Sequence, residues 1–483
     1  MSSTPTKYGR RLSFDASVAT AERAAAPEKR FTYDAIDSKG RRKPPTARTR
    51  SEDSILNVGS RSKLSATSQD LVRNFAIAAW AVRRHCDYVS IFDFHSQTGD
   101  AALDAQIEWL MKRDNQPFYA DAGNRFTREK MFRLAEVRRT VDGDVGLLKL
   151  NDGRLQGIES DRIRDPDSGK PGWINGVRVD DAGRALAYGI HRRGRNGQGF
   201  EFDREVAASN LFHYGFFERF ASDQVRGVSP IAAAINSFRD VYENIDYALI
   251  KAKVSQLFAL VFYRDAEEAA GELTHDGSEN DDGGESRGGY QVDFGRGPIQ
   301  LDLDPGDKAE FLESKTPSNE FQSFHSTVVM IALKSLDIPF SFFDESHTNY
   351  SGSRGSWLQY DRSCHDKQAD QILLRNRYTI WKLQQWVRDG ELVLPRSWTI
   401  GDLNWEWVPK GMPWFDPGKE VNANLLAISA GLDNPQRIVK EHGRGDFKDN
   451  IDAIADAMAY AKEKGVPLSF VPTPQTVVNM PEG

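Results

Sequence analysis

Two stretches of this chain repeat apolar residues at helical spacing for longer than an ordinary globular domain needs, and this constrains the fold more than any other feature. In the first, Ile231, Ile235, Phe238, Val241, Tyr242, Ile245, Leu249 and Ala252 form one stripe, with Arg239, Asp240, Glu243, Asp246 and Lys251 elsewhere on the surface. The pattern covers about 30 residues, or ~45 Å of helix, against a usual length of roughly 10–14 residues. The second predicts a helix over 356–388, carrying Trp357, Leu358, Tyr360, Cys364, Ile372, Leu373, Arg375, Ile380 and Trp386. Before it stands LDIPFSFFDESHTNYSGSRGSWLQYDR, residues 336–362. There an amphipathic segment ends at Ile338-Pro339, a loop of polar and small residues follows, and a helical pattern resumes near Arg354. Such a loop suits an active-site lid, and equally a loop pointing into something the protein surrounds.

The chain has 483 residues, enough for two to four domain-sized units. With 28% charged and 39% hydrophobic residues it has the composition of a soluble folded protein. Its net charge of -7 argues against a general basic coat for nucleic acid, but not against a protein that lets DNA pass without gripping it. Residues 1–63 hold fourteen Lys/Arg against seven Asp/Glu, leaving the remainder near -14. Only two cysteines occur, Cys86 and Cys364, too few for a zinc site and too far apart in sequence to suggest a structural disulfide. No apolar run approaches the ~20 residues of a membrane helix, and the N-terminus lacks a signal core. A cytoplasmic site of synthesis is expected.

Residues 1–67 resemble a basic, flexible arm, broken by Arg41-Arg42-Lys43-Pro44-Pro45. From Ser68, a plausible N-cap, Leu71, Phe75, Ala78, Val82 and Cys86 predict a helix. Further helices are expected over 101–113 and 126–140. Residues 144–215 are β-rich, with the turn Asn151-Asp152-Gly153 after a strand at 145–150, a strand at 174–179 and another at 185–191. Residues 265–290 form an acidic, Gly-rich excursion without the ligand spacing of a calcium loop. Short strands are expected at 291–294 and 299–303, then a helix that Asn319 can cap. Closing helices are expected over 434–442 and 447–464, before a loose Pro-rich tail.

Catalytic signatures are missing. There is no GxxxxGK[ST], GxGxxG or HExxH, and Gly352-Ser353-Arg354-Gly355-Ser356 lacks the spacing of a nucleophile elbow. Glu159, Asp161, Arg162 and Asp165 suggest a metal-dependent nuclease, yet turn chemistry accounts for the same residues. No enzyme, cofactor or metal site is expected; a DNA-processing nuclease using the acidic clusters is the alternative.

Several blocks occur in a telling order: Arg226-Gly227-Val228-Ser229-Pro230-Ile231, Leu303-Asp304-Pro305-Gly306-Asp307, Thr316-Pro317-Ser318-Asn319-Glu320-Phe321 and Leu336-Asp337-Ile338-Pro339. Then come Asn349-Tyr350-Ser351-Gly352-Ser353-Arg354-Gly355 and Asp416-Pro417-Gly418-Lys419-Glu420 with Ala423. Over residues 68–465 the chain resembles the portal proteins of tailed bacteriophages, in their lambda-type family. Gly352 and Gly355 depart mildly from the small residues such as Ala expected there.

The resemblance implies an α+β, mainly α portal-type subunit with wing, two-helix stem, clip and crown, assembling into a ring, usually a dodecamer. The ring sits at one capsid vertex of the virion, is assembled in the host cytoplasm, and conducts double-stranded DNA during packaging and ejection without reading sequence. It docks the terminase large subunit, capsid or scaffold proteins, and head-completion and tail proteins. Mapped on this chain, residues 68–229 are the N-terminal wing, 230–258 the first stem helix, 259–317 the clip and 318–338 the second stem helix. Residues 339–354 are the tunnel loop, 355–390 the long wing helix, 391–465 the C-terminal wing and crown, and 466–483 the tail.

The expected DNA-channel loop residues are Asp344, Glu345, His347, Thr348, Asn349, Tyr350, Ser351 and Arg354. Asp240, Glu243, Asp246 and Lys334 are expected to face the channel from the stem. A conduit should touch phosphates weakly, since each neutralised phosphate adds salt-dependent grip. His347, Asn349, Tyr350 and Ser351 suit short-lived backbone contacts. Arg354, a cation near a helix start, has Asp344 or Glu345 as an alternative partner to DNA.

Overall fold

The computed structural model describes residues 50–166, 172–194, 199–257, 260–264, 307–311, 319–346, 349–410 and 416–467. In chain order the helices are α1 (Glu52–Ile55), α2 (Val58–Asn74), α3 (Ala76–Val89), α4 (Ala101–Arg113), α5 (Pro117–Ala120) and α6 (Arg128–Asp142). Later come α7 (Ile235–Leu257), α8 (Asn319–Leu333), α9 (Tyr350–Arg388), α10 (Pro417–Ser429), α11 (Pro435–Glu441) and α12 (Phe447–Glu463). The strands are β1 (Phe92–Ser96), β2 (Asp144–Lys149), β3 (Leu155–Glu159), β4 (Trp173–Ile174), β5 (Val177–Val179) and β6 (Ala185–Arg193). They continue with β7 (Phe200–Ala207), β8 (Leu211–Gly215), β9 (Leu260–Arg264), β10 (Asp307–Phe311) and β11 (Trp405–Pro409). The architecture is α+β with helices predominating. The chain divides into two compact units, residues 1–238 with 330–483 and residues 239–329.

In the larger unit β3-β2-β8 and β4-β5-β6-β7 form two antiparallel sheets, and β1 pairs with β11. β2 is apolar on both faces because both are covered. Val145 and Leu147 join Phe132, Phe212, Tyr378 and Trp386 in one core, while Leu148 joins Ile158, Val177, Ile190 and Leu211 between the sheets. In the smaller unit β9 and β10 form an antiparallel pair, with Leu260 opposite Phe311.

The 39 residues of α9 make a rod of about 58 Å. Its inner stripe is unusually polar: Gln371, Arg375, Thr379 and Lys382 are all buried. Each is answered. Gln371 Nε2 donates to Glu136 (2.9 Å), Arg375 Nη1 to Glu129 (2.8 Å) and Arg375 Nη2 to the Ser90 carbonyl (3.1 Å). Thr379 Oγ1 accepts from Trp407 Nε1 (3.1 Å), and Lys382 pairs with Asp114 (2.6 Å). The Arg375 guanidinium also lies 4.6–4.8 Å from the ring centroids of Phe92, Phe132 and Trp407.

A second buried node joins Asp144 at the start of β2 to Arg226. Arg226 Nε and Nη2 donate to the two Asp144 carboxylate oxygens (2.6 and 2.8 Å), and Nη1 to the carbonyls of Ile163 and Asn175. Asp144 also accepts from Ser160 Oγ and Gly227 N, and meets His213 Nε2. Burial alone would raise the Asp144 carboxyl; the Arg226 charge and hydrogen bonds hold it well below the usual range.

Several local expectations need correction. Within the arm expected over 1–67, residues from Glu52 onward form α1 and the first turns of α2, and Ser68 caps nothing: it is buried within α2, whose cap is Asn57, accepting from Ser60 N (2.9 Å). α2 hides because its apolar contacts are sparse; its Leu64 packs with Leu56, Ala232 and Ile235. Residues 174–179 are two strands, β4 and β5, turned at Asn175 and Gly176, both with positive φ. α9 begins at Tyr350, six residues before the expected start and inside the expected 339–354 loop. Residues 1–49, the acidic excursion at 265–290, the strands at 291–294 and 299–303 and residues 468–483 of the tail lie outside the described residues.

Two stability predictions follow from these nodes. Asp144→Asn leaves the Arg226 guanidinium buried without its counter-charge and should cost about 3–5 kcal/mol in chemical denaturation. Asp144→Asn combined with Arg226→Gln should lose less than the sum of the single changes, as coupled neighbours do. The second concerns Glu136. Burial pushes its carboxyl up, but the charge of Arg139 and the hydrogen bond from His85 bring it down from 4.5 to about 2. A depressed folded-state pKa stabilises above the unfolded value and is lost as pH falls. Between pH 4.5 and about 2 the wild type should therefore lose stability more steeply than Glu136→Gln, as followed by circular dichroism.

Candidate nucleic-acid interface

The base of the candidate loop is fixed by aromatic packing and one ion pair. After α8 the chain makes a tight turn over Lys334–Leu336, and Asp337 adopts a left-handed conformation (φ 62°). The Asp337 carboxylate accepts from Lys367 Nζ (2.9 Å) and Ser363 Oγ (2.9 Å) of α9. Burial pushes that carboxyl up, and Lys367 more than offsets it, leaving the pKa lowered. Leu336 and Ile338 are buried. Phe342 then packs between Tyr88 (5.8 Å) and Tyr360 (5.3 Å), and Phe343 meets Trp80 edge-on at 6.1 Å.

Beyond Phe343 the chain turns to solvent. Asp344 Oδ1 accepts from Ser346 N (2.9 Å), an Asx turn that shapes the tip, and Glu345 and Ser346 are exposed. His347 and Thr348 lie outside the described residues. Asn349 is exposed, but its Oδ1 caps α9 by accepting from Gly352 N (2.7 Å). That use explains Gly352: a Cβ there would stand 3.1 Å from the same Oδ1. Gly355 has open space around it, so its choice has no comparable structural reason. Tyr350, Ser351 and Arg354 belong to α9 and not to a loop, and Ser351 is exposed.

The ion-pair partner found for Arg354 is neither Asp344 nor Glu345. Its Nη2 lies 3.6 Å from Glu420 Oε1, in the first turn of α10. Both side chains line a cavity of 490 Å³, together with Trp357, Leu358, Lys410 and His442. Lys440 of α11 pairs with Glu406 of β11 at the same cavity. These partners were not foreseen. Glu420 stands in the Asp416-Pro417-Gly418-Lys419-Glu420 block, but nothing local in that block reports a contact with α9.

The stem candidates fall in different units. Asp240, Glu243 and Asp246 are exposed on α7 in the smaller unit, and Lys334 is exposed in the larger one. The acidic residues of the nuclease alternative are already matched within the larger unit. Arg193 bridges Glu159 and Asp161, Asp165 Oδ1 accepts from Gly176 N (2.6 Å), and Arg162 donates to the His191 carbonyl (3.0 Å). Among the described residues no group of three or more His, Cys, Asp or Glu is placed to hold a metal. An arginine between two carboxylates takes the position a cation would need.

The family model described as phage portal protein, lambda family, matches residues 39–368. A probable portal protein of Halomonas phage phiHAP-1 is 25% identical over 336 residues, which cover 65% of this chain and 61% of the relative. The match therefore spans less than two thirds of the relative's length. Among solved structures, the neck of an empty gene transfer agent particle, computed with C6 symmetry, gives a TM-score of 0.42 at 13% identity, covering 78% of this chain and 93% of the other. The neck of the native particle, computed with C12 symmetry, gives 0.41 at 14% identity over 78% and 92%. With well over half of its 483 residues matched by the family model, the chain belongs to the lambda family of phage portal proteins.

Proposed function

We propose that this chain is one subunit of a portal ring that sits at a single capsid vertex of a virion and conducts double-stranded DNA during packaging and ejection. Membership of the portal family over residues 39–368 carries the reading. On it, α7 and α8 are the two stem helices, the β9–β10 pair belongs to the clip, and α9 is the long wing helix above a loop that faces DNA. Residues 68–229 are wing, and α10 to α12 form outer wing and crown. The ring is a dodecamer whose partners are the terminase large subunit, capsid or scaffold proteins and head-completion proteins.

The surface chemistry supports a conduit over a gripping protein. The net charge is -7, and Asp240, Glu243 and Asp246 repeat at three-residue steps along exposed α7. Carboxylates repel phosphate and release no counterions, so they let a duplex slide. The loop combines a pinned base with an exposed, hydrophilic tip at Glu345 and Ser346. At such a tip the Ser346 hydroxyl suits passing contact with a phosphate, while Glu345 repels it. The reading involves no catalytic chemistry.

Native mass spectrometry of the purified full-length chain tests the ring: a closed oligomer centred on twelve subunits is expected, and monomers or dimers at every concentration would sink the proposal. Removing residues 345–348 tests the loop, since it spares both the Phe342 anchor and the Asn349 cap. Rings should still form while DNA packaging or retention falls; undiminished packaging would take the loop out of the channel.

A further inference from the structure

The Arg354–Glu420 pair has a consequence for the loop, resting on the reading that the loop faces DNA. Arg354 is the cation of the candidate set nearest the loop, one turn into α9. A cation so close to a helix N-terminus opposes the dipole, whereas Glu420 in the first turn of α10 is favoured by its own. Their separation of 3.6 Å exceeds the 2.7–2.9 Å of a charge-assisted hydrogen bond. The Arg354 side chain is 42% exposed and that of Glu420 is 15% exposed. A half-exposed pair of this kind is weak, and the adjoining 490 Å³ cavity leaves the guanidinium room to turn. α10 itself is loosely seated: none of its residues is buried.

We infer that Glu420 is a positioning residue that holds Arg354 away from phosphate, so that α10 sets how strongly the loop grips duplex DNA. While Glu420 engages the guanidinium, the loop offers the duplex hydrophilic contact with little salt-dependent grip. When α10 shifts, Arg354 gains a phosphate and the ring acquires a brake. The same side chain thus serves sliding or retention according to the position of a helix outside the loop.

The test is binding of a short random-sequence duplex to the assembled full-length protein, followed by fluorescence anisotropy across a salt series. One added phosphate contact steepens the slope of log affinity against log salt by about 0.9, so Glu420→Gln should raise the ratio of affinities between about 50 and 200 mM salt roughly 3.5-fold. Arg354→Gln should abolish that gain in the Glu420→Gln background, and Glu420→Asp, which keeps the charge, should stay near wild type. An unchanged slope in Glu420→Gln, in a protein whose binding is weakened by removing 345–348, overturns the inference and leaves the DNA-facing loop standing. No response to either change overturns the loop reading as well. A Glu420→Gln effect that persists in the Arg354→Gln background shows that the carboxylate acts through another cation, and also overturns it.

Discussion

The larger unit depends on the meeting of Asp144 with Arg226. Asp144 opens β2 one residue after Gly143, and Arg226 stands one residue before Gly227, and the two glycines cross in contact. A Cβ on Gly143 would lie 2.6 Å from the Gly227 carbonyl oxygen, and one on Gly227 would lie 2.1 Å from that of Gly143. Arg61 of α2 donates to the Gly227 carbonyl (2.7 Å), and Phe216 N to that of Gly143 (2.9 Å). One buried ion pair, 82 residues apart in sequence, therefore fastens α2, α6, β2 and the segment after β8 at a single point. The chain leaves that point through Ser229 and Pro230 directly into the turn that starts α7. The residues of the Arg226–Pro230 block are thus required by geometry as well as by charge.

The same logic governs α9. An apolar stripe would bury this helix as firmly, yet hydrophobic contact tolerates sliding and rotation. Gln371, Arg375 and Lys382 meet Glu136, Glu129 and Asp114 in one register only, because a slip of one residue leaves several buried charges unmatched. The register of α9 in turn sets where Asn349 and Arg354 stand at its other end. Buried charge here fixes position more than it adds stability.

Much of this was legible in sequence and some was not. α4 follows its periodicity over Ala101–Arg113, and α11, capped by Asn434 accepting from Arg437 N (2.9 Å), falls where a helix over 434–442 is expected. The Asn175-Gly176 turn carried a strong hairpin signal that a run of apolar residues obscured. The first turns of α9 were hidden by Gly352, Gly355 and three serines, all weak helix formers, although the Asn349 cap stood in plain view. The break between α2 and α3 at Phe75 left no mark, since Phe75 continues the apolar spacing while its backbone is extended. Pairs such as Arg354 with Glu420 or Arg226 with Asp144 depend on tertiary placement, which local pattern does not encode.

The C-terminal helices and most of α7 are those that a single chain covers least. Of α10, α11 and α12, only Ala461 is buried, while Leu425 and Leu426 of α10 are 57% and 69% exposed, and Leu432 in the turn after it 77%. On α7, Tyr242, Ile245, Tyr247, Leu249 and Ile250 are likewise exposed. Apolar surface on this scale is costly in an isolated subunit. In the proposed ring it would be covered by neighbouring copies, and the subunit's stability would then depend on assembly as much as on its own core. A core held by buried charge suits that arrangement. In that ring it would keep each subunit in one shape before its neighbours arrive, and would leave α10 to α12 to be fixed by them.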